Sequence, residues 1–144
     1  MANVTSLMTA NPASCTPDTP LREVARLMIE NDCGQIPVVD GQGAPVGVVT
    51  DRDITVRIVA EGRDTMNATA SDAMSAPVES VREDSSLQDA VAVMERSKIR
   101  RVPVVDAQGK LSGILSQADI ALSGKDNATA EMVKEVSEPG QTRQ

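Results

Sequence analysis

The chain has 144 residues, a formal charge of −7 and an isoelectric point near 4.5, and it contains no Phe, Tyr or Trp. This length allows one ordinary domain, or two half-domains that share a core. A negatively charged chain without aromatic rings for base stacking is a poor general binder of nucleic acid, so any anionic ligand must rely on local positive charge.

Histidine is also absent, which removes the commonest general base, the commonest metal ligand and the usual side chain that titrates near neutral pH. Two cysteines, Cys15 and Cys33, are too few for a closed structural zinc site. The polar start does not resemble a signal sequence, and no apolar run approaches the ~20 residues that span a bilayer. We expect a soluble cytoplasmic protein without an obligatory cofactor or metal, and without a membrane partner.

The first half of the chain predicts two helices around a β-hairpin. Residues 1–13 predict an extended or irregular lead-in, and a helix is expected to follow with Thr19 as its cap and Pro20 at its first position. Its buried face is predicted from apolar residues at helical spacing, namely Leu21, Val24, Ala25 and Met28.

Two apolar runs, residues 36–39 and 46–49, flank the glycine-containing turn at residues 40–43 and predict the hairpin. A second helix is predicted from about Asp51 to Ala60, ended by Gly62. The hairpin and its two helices are too small to bury a stable core alone.

The second half repeats this plan, because the sequence matches itself without a gap when it is shifted by 66 positions, the offset between Pro37 and Pro103. Pro-Val-Val-Asp occurs at residues 37–40 and again at 103–106. So many identities in one fixed register indicate a tandem duplication. Other identical pairs are Met8 and Met74, Ser14 and Ser80, Asp18 and Asp84, Leu21 and Leu87, Met28 and Met94, Gly43 and Gly109, and Gly47 and Gly113.

In the second copy, Ser85 and Gln88 predict a capping box before a helix that buries Leu87, Ala90, Val91 and Met94. Strands are predicted at residues 102–105 and 110–115, and a short helix near Gln117. The domain plan is a first copy at residues 1–62, a polar linker at 63–70, a second copy at 71–123 and a polar tail at 124–144. Within that tail, residues 128–136 predict a marginal helix.

A hydroxyl residue and an aspartate three positions later follow the last strand of each copy. We name Thr50 with Asp53 the first corner, and Ser116 with Asp119 the second corner. A hydroxyl and a carboxylate that converge where a strand ends and a helix begins suit the two hydroxyls of a ribose. The alternative is that the aspartates merely cap the following helices, which aspartate does well.

The repeated unit resembles the CBS-domain pair, also called a Bateman module, over residues 4–122. The resemblance rests on the two Pro-Val-Val-Asp strands, on Gly43 and Gly109, and on residues 47–53 and 113–119. It implies an α/β (α+β) fold of tandem β-α-β-β-α repeats packed about a pseudo-two-fold axis, with two clefts. Each cleft is expected to be lined by one copy's corner and by strands of the other copy.

The same resemblance implies a sensor of adenosine-containing ligands such as AMP, ADP, ATP, NAD or S-adenosylmethionine, and a homodimer. It implies ribose-binding positions at both corners and phosphate-binding positions at Arg100 and Arg101. Arg52, adjacent to Asp53, is our third phosphate-binding candidate. Positions near adenine are implied in two sets, Thr9, Ser14, Cys33, Gly34 and Ile36 in one cleft and Ala76, Ser80, Ile99 and Val102 in the other.

The two copies differ in charge around these positions. Lys98, Arg100 and Arg101 of the second copy correspond to Asp32, Gly34 and Gln35 of the first, and Arg52 of the first corresponds to Ala118. We therefore expect unequal sites, with the nucleotide at the Asp53 cleft, where Arg52 is adjacent and Arg100 is contributed by the other copy. The arginines could instead be solvated surface charges, and Arg57 is a weaker phosphate candidate.

Three functions compete at this stage. The first is a regulatory, adenosine-binding module that signals to an unknown effector protein. The second is an enzyme, which the absence of a catalytic constellation disfavours. The third is a structural or interaction dimer with weak ligand binding or none. Cys15 and Cys33 are either buried apolar spacers or a redox-sensing pair near the adenine pocket.

Overall fold

The computed structural model describes residues 3–123, and the predicted polar tail with its helix at residues 128–136 lies outside them. Within the described residues, no helix is both long and apolar enough to cross a membrane. The elements in chain order are α1 (Val4–Leu7), β1 (Thr9–Ala10), α2 (Leu21–Glu30), β2 (Gln35–Val39), β3 (Pro45–Thr50), α3 (Asp51–Ile54), a π-helical stretch (Thr55–Val59), α4 (Ala70–Ala73), β4 (Val81–Arg82), α5 (Leu87–Ser97), β5 (Arg101–Val105), β6 (Leu111–Ser116) and α6 (Gln117–Ser123).

Both predicted hairpins are confirmed, and they share one design. Strands β2 and β3 pair antiparallel, as do β5 and β6, and each first strand has a register shift before its last residue. In the turns, Asp40 Oδ1 accepts the N–H groups of Gln42 and Ala44 at 2.9 and 3.0 Å. Asp106 Oδ1 accepts the corresponding two N–H groups at the same distances. The duplicated sequence therefore produces a duplicated local structure.

The two predicted caps of the long helices were each wrong by one position. Helix α2 begins at Leu21 with Pro20 in the capping position, and the Thr19 hydroxyl accepts the N–H of Thr16 instead. Helix α5 begins at Leu87 because the Ser86 hydroxyl accepts the Asp89 N–H at 3.0 Å. The hydroxyls of Thr19 and Ser85 instead accept backbone N–H groups in the turns that precede these helices. Serine and threonine form such side-chain turns as well as helix caps.

The helix predicted from about Asp51 to Ala60 is present, and its hydrogen-bonding type changes along its length. After α3 the chain is π-helical at Thr55–Val59. The N–H of Ala60 bonds the carbonyl of Thr55 at 2.8 Å, and the N–H of Arg63 bonds that of Ile58 at 2.9 Å. The end is near the predicted place, since Gly62 adopts φ 69°.

The extended or irregular lead-in predicted for residues 1–13 is confirmed at the strand Thr9–Ala10 and is wrong at Val4–Leu7, because each copy begins with a four-residue helix. In α1 the Asn3 side chain and the Ser6 hydroxyl bond each other's backbone N–H groups. In α4 Thr69 and Asp72 form the corresponding cap. Helix α4 begins at the last residue of the predicted linker. Helices this short carry no apolar periodicity, so the sequence pattern did not reveal them.

Of the described residues, 13–78 form one compact unit, and 3–12 together with 79–123 form the other. We call them the first-corner unit and the second-corner unit, after the corner each contains. Each unit joins the hairpin of one copy to the lead-in of the other. In the second-corner unit the sheet order is β1-β6-β5-β4. In the first-corner unit, β2 and β3 are flanked by bridges from Cys15 to Val38 and from Ser75 to Val48.

Each unit has its own aliphatic core, as expected for a chain without aromatic residues. The predicted helix faces point inward, with Leu21 and Val24 buried and Met28 half-buried. The first-corner core consists of Cys15, Leu21, Val24, Ile36, Val38, Val49, Ile58, Ala68, Ala70 and Ala73. The second-corner core consists of Val4, Val81, Leu87, Ala90, Met94, Val102, Val104, Leu115 and Ile120.

Candidate functional site

Both corners lie where a hairpin ends and a helix begins. At the first corner the Thr50 hydroxyl accepts the N–H of Asp53, and Asp53 Oδ2 accepts the N–H of Thr50, both at 3.0 Å. At the second corner Ser116 and Asp119 make the same reciprocal pair, also at 3.0 Å. The aspartates therefore do cap their helices, as the structural alternative requires.

The helix cap uses only part of the hydrogen-bonding capacity of the Asp53 carboxylate. Its Oδ2 accepts the backbone N–H of Thr50, and its Oδ1 accepts the hydroxyl of Ser75 at 3.2 Å. An ionised carboxylate has about four acceptor positions, so each oxygen can take a further donor beside these two. Asp53 and Asp119 are both half-buried, so neither residue is sealed from solvent. Helix capping and hydroxyl binding are therefore compatible at both corners.

Two of the predicted phosphate-binding arginines adjoin the second corner. Arg101 begins β5 and faces Ser116 in the hairpin register. The carbonyl of the preceding Arg100 accepts the N–H of Gln117 at 2.8 Å. At the corresponding place in the first-corner unit, Gln35 faces Thr50 and the Gly34 carbonyl accepts the N–H of Asp51. The second corner therefore has local positive charge on its hairpin.

The first corner has its arginines on the following helix. Arg52 is exposed in α3, next to Asp53. Arg57, the weaker candidate, has its guanidinium engaged, because Nη1 donates to the carbonyls of Ala73 and Met74 at 3.2 and 2.5 Å. Arg57 is thus a cap for the end of α4 rather than an unengaged phosphate ligand.

Each of the two predicted adenine-proximal sets has members in both compact units. Thr9 pairs with Ile114 and lies in the second-corner unit with Ser80, Ile99 and Val102. Ala76 lies in the first-corner unit with the remaining four predicted positions, Ser14, Cys33, Gly34 and Ile36. Within these sets the side chains of Ile36 and Val102 belong to the two cores, whereas Ser14, Ala76 and Ser80 are exposed.

Sequence reasoning missed Ser75, whose hydroxyl bonds Asp53. A signal was present, since Ser75 is 66 positions after Thr9, which the resemblance had singled out. It also missed the reason for the corner-strand glycines. A Cβ on Gly47 would stand 2.8 Å from the Ser75 carbonyl and 3.0 Å from Met74 Sδ. A Cβ on Gly113 would collide with Met8 Sδ and stand 3.0 Å from the Thr9 carbonyl.

Both thiols are free in this structure, and the redox pair considered as an alternative stays a prediction. Cys15 is buried and pairs with Val38 near the end of β2, whereas Cys33 lies just before the start of that strand. Burial, followed by the negative charge of Glu23, raises the pKa of the Cys15 thiol to about 11. Their counterparts in the second copy are Val81 and Ile99. Both cysteines therefore occupy apolar positions of the repeat.

Within residues 3–123, no group of three or more His, Cys, Asp or Glu side chains is placed to hold a metal ion. The arrangement at each corner is instead a set of hydrogen-bonding groups, a hydroxyl and a carboxylate with arginines nearby. Such a set can bind neutral hydroxyls and anionic groups of one small ligand.

Sequence comparison relates the chain to known proteins. The CBS domain model matches residues 4–60 and 70–124. The CBS domain-containing protein YhcV of Bacillus subtilis is 39% identical over 130 residues, which are 90% of this chain and 91% of YhcV. Hypoxic response protein 1 of Mycobacterium tuberculosis is 32% identical over 139 residues, 96% of each chain.

Solved structures extend the match to three dimensions. Hypoxic Response Protein I, with two coordinated zinc ions, superposes with a TM-score of 0.77 at 32% identity, covering 84% of this chain and 98% of that chain. CBSX2 from Arabidopsis thaliana in complex with AMP superposes with a TM-score of 0.73 at 31% identity, covering 86% and 96%. The chain therefore belongs to the CBS-domain family and carries two CBS domains in tandem.

Proposed function

We propose that this chain is a regulatory module that binds an adenosine-containing ligand and signals its occupancy to a partner protein. The observation that carries the proposal is the repeated corner, in which a half-buried aspartate is held by its own helix cap and keeps acceptor capacity for a ligand. The AMP complex of CBSX2, a homologue of similar fold, supports the choice of ligand class.

The ribose is assigned to the corners. The carboxylates of Asp53 and Asp119 accept the ribose hydroxyls, with Thr50 and Ser116 fixing their orientation through the reciprocal caps. A hydrogen bond to an ionised group contributes about 1.5–3 kcal/mol, so losing one such bond weakens binding about tenfold or more.

The phosphates of a nucleotide are assigned to the arginines. Arg101 and Arg100 supply charge beside the second corner, and Arg52 supplies it beside the first. In a chain with a formal charge of −7, these local cations are what makes an anionic ligand acceptable. AMP is the first ligand to test, and ADP, ATP, NAD and S-adenosylmethionine are the alternatives.

Signalling follows from differential affinity. A ligand that binds one arrangement of the protein more tightly than another shifts the population toward it, and a partner that distinguishes the arrangements reads the occupancy. We propose that the signalling form is a homodimer and that a separate effector protein binds it and responds to ligand occupancy. We propose a regulatory role rather than a catalytic one.

One rival is favoured by a specific observation. Because Asp53 and Asp119 both satisfy backbone N–H groups, they have a structural role without any ligand. On that view the chain is a structural or interaction protein, and the corners only hold the hairpins to their helices.

A thermal-shift screen with AMP, ADP, ATP, NAD and S-adenosylmethionine separates the two. A binding ligand at 100 times its Kd stabilises the folded protein by about 2.7 kcal/mol. Replacing Asp53 and Asp119 together by Asn keeps a cap acceptor but removes the charge, and we expect the ligand-induced shift to disappear. Asp84→Asn, at an exposed carboxylate paired with Arg82, is the matched control and should keep the shift. Absence of a shift with every ligand in the wild type supports the structural rival.

A further inference from the structure

Two side chains outside the ligand-binding set connect the first corner to the segment that leads into the second copy. We call Arg57 and Ser75 the latch. The segment is residues 70–78, after which the chain enters the other compact unit at Glu79. Its backbone pairs with β3 through two hydrogen bonds between Val48 and Ser75, at 2.8 and 3.0 Å.

Arg57 fixes the end of this segment's short helix. The last carbonyls of an α-helix have no partner within the helix. The Arg57 guanidinium reaches two of them, on Ala73 and Met74, and it does so from the π-helical stretch. A π-helical stretch turns the following side chains relative to an α-helix and is frequent at functional sites.

Ser75 follows immediately, and its hydroxyl donates to Asp53 Oδ1. The carboxylate is therefore held from two directions, by the Thr50 N–H on one oxygen and by the Ser75 hydroxyl on the other. Arg57 holds the carbonyl that precedes Ser75, so it positions Ser75, which in turn orients Asp53. This chain of contacts lies wholly within the first-corner unit.

The duplication shows that the latch is not a general requirement of the fold. In the 66-residue register Arg57 corresponds to Ser123, whose hydroxyl donates to the carbonyl of Ile120 at 2.7 Å. Ser75 corresponds to Thr9. The second copy therefore folds with no arginine at the position from which Arg57 of the first copy binds the end of α4.

We propose that Arg57 and Ser75 are positioning residues for ligand binding at Asp53, and that they couple occupancy of the first corner to residues 70–78. This inference rests on the proposed function. An oriented carboxylate binds ribose without first losing side-chain freedom, so the latch raises affinity at the first corner and not at the second. Conversely, a ribose hydroxyl at Asp53 Oδ1 changes the hydrogen bonding of Ser75 and with it the segment that enters the second copy.

The test is calorimetric titration with AMP in two backgrounds. In Asp119→Asn protein, which isolates the first corner, Ser75→Ala and Arg57→Met should each weaken AMP binding about three- to tenfold. In Asp53→Asn protein, which isolates the second corner, the same changes should alter the affinity less than about twofold. Ser75→Thr restores the hydroxyl and should restore the affinity.

Ser112→Ala is the matched control, because it removes a half-buried serine hydroxyl that bonds the Val104 carbonyl in the second-corner unit. It should leave AMP affinity at the first corner unchanged. A ligand-free arm tests the latch itself, since amide exchange at Met74 and Ser75 should become faster in Arg57→Met protein than in the wild type.

The outcomes separate the two proposals. If the wild type binds AMP but Ser75→Ala and Arg57→Met leave the first-corner affinity unchanged, the coupling is overturned and the proposed function stands. If both changes weaken binding equally at the two corners, they act through general stability and the coupling is again overturned. If the wild type binds none of the adenosine ligands, the proposed function and the coupling fall together.

Discussion

The first and second corners have the same backbone chemistry and different surroundings. Both hold a hydroxyl residue and an aspartate in a reciprocal cap, with bonds of 3.0 Å. Most of the charged residues around the two corners differ between the copies. The hairpin contributes arginines only at the second corner, and the following helix contributes them only at the first. Duplication has thus kept the groups that satisfy the backbone, while the groups that would select a ligand have diverged.

On the proposed function, this difference makes the two ligand sites unequal. The cap must be retained because a strand end without partners for its N–H groups is unstable. The neighbouring arginines are under no such constraint. On the proposed function, the shared corner serves both helix capping and ribose binding, whereas the differing arginines distinguish the two sites.

The largest effect on stability is expected at Gly47, which packs against the lead-in of the first-corner unit. In Gly47→Ala the new Cβ would stand 2.8 Å from the backbone carbonyl of Ser75, which cannot move without breaking its bond to Val48. We expect a loss of about 1–3 kcal/mol in the free energy of unfolding, measured by urea denaturation.

Gly41→Ala is the control for this change, because a Cβ at Gly41 meets nothing within 4 Å. Gly113→Ala should cost less than Gly47→Ala, since its nearest contact is the flexible end of Met8. Equal stability of the Gly47 and Gly41 variants would show that the lead-in is not held as described.

Acid should loosen one lead-in and spare the other. Bonding to the Thr69 N–H, and then to the Arg63 guanidinium, holds the pKa of Asp72 below its usual value. A lowered pKa in the folded state means that the cap stabilises α4 above the ordinary aspartate pKa of about 3.9 and is lost as pH falls below it. The equivalent cap in α1, from Asn3 and Ser6, has no titrating group.

Amide exchange measured between pH 5 and pH 2.5, corrected for the intrinsic rate at each pH, tests this difference. Protection at Thr69 should fall with pH and protection at Asn3 should not. In Asp72→Asn protein the pH dependence at Thr69 should vanish. A parallel loss at both positions would point to global acid unfolding instead.

Much of this architecture could be predicted from the sequence. The hairpins and long helices followed from alternating and helical periodicity, and the offset between Pro37 and Pro103 revealed the duplication. The lead-in helices could not be predicted, because four residues make one turn and show no period. The caps of α2 and α5 were misplaced by one residue, because Thr19 and Ser85 compete with their neighbours for the same local N–H groups.

The exchange of lead-ins between the units was equally invisible to sequence patterns. Met8 and Met74 occupy identical places in the repeat, and nothing local says which glycine each will contact. For the same reason the sequence did not show that Thr9 and Ala76 each belong to a different unit from the other positions of their predicted set. The local arrangement of each corner could be predicted because its two residues lie at the end of one strand and in the first turn of the helix that follows directly.

The smallest effect is expected at Cys15, where the copies differ by a cysteine and a valine. Cys15 and Val81 are each 6% exposed at the same position of the repeat. Cys15→Val should therefore change the free energy of unfolding by less than about 1.5 kcal/mol, as a volume-conserving core exchange does. Chemical denaturation of the two proteins checks this, and a larger loss would mean that the thiol has a role beyond packing.

The most direct measurement of the central claim compares AMP with 2′-deoxy-AMP, which lacks one ribose hydroxyl, by calorimetric titration. If the carboxylates of Asp53 and Asp119 bind the ribose, the wild type should prefer AMP by about tenfold or more. That preference should collapse in the protein with both aspartates changed to Asn. Equal affinity of the wild type for the two ligands, or a preference that survives the double change, would contradict it.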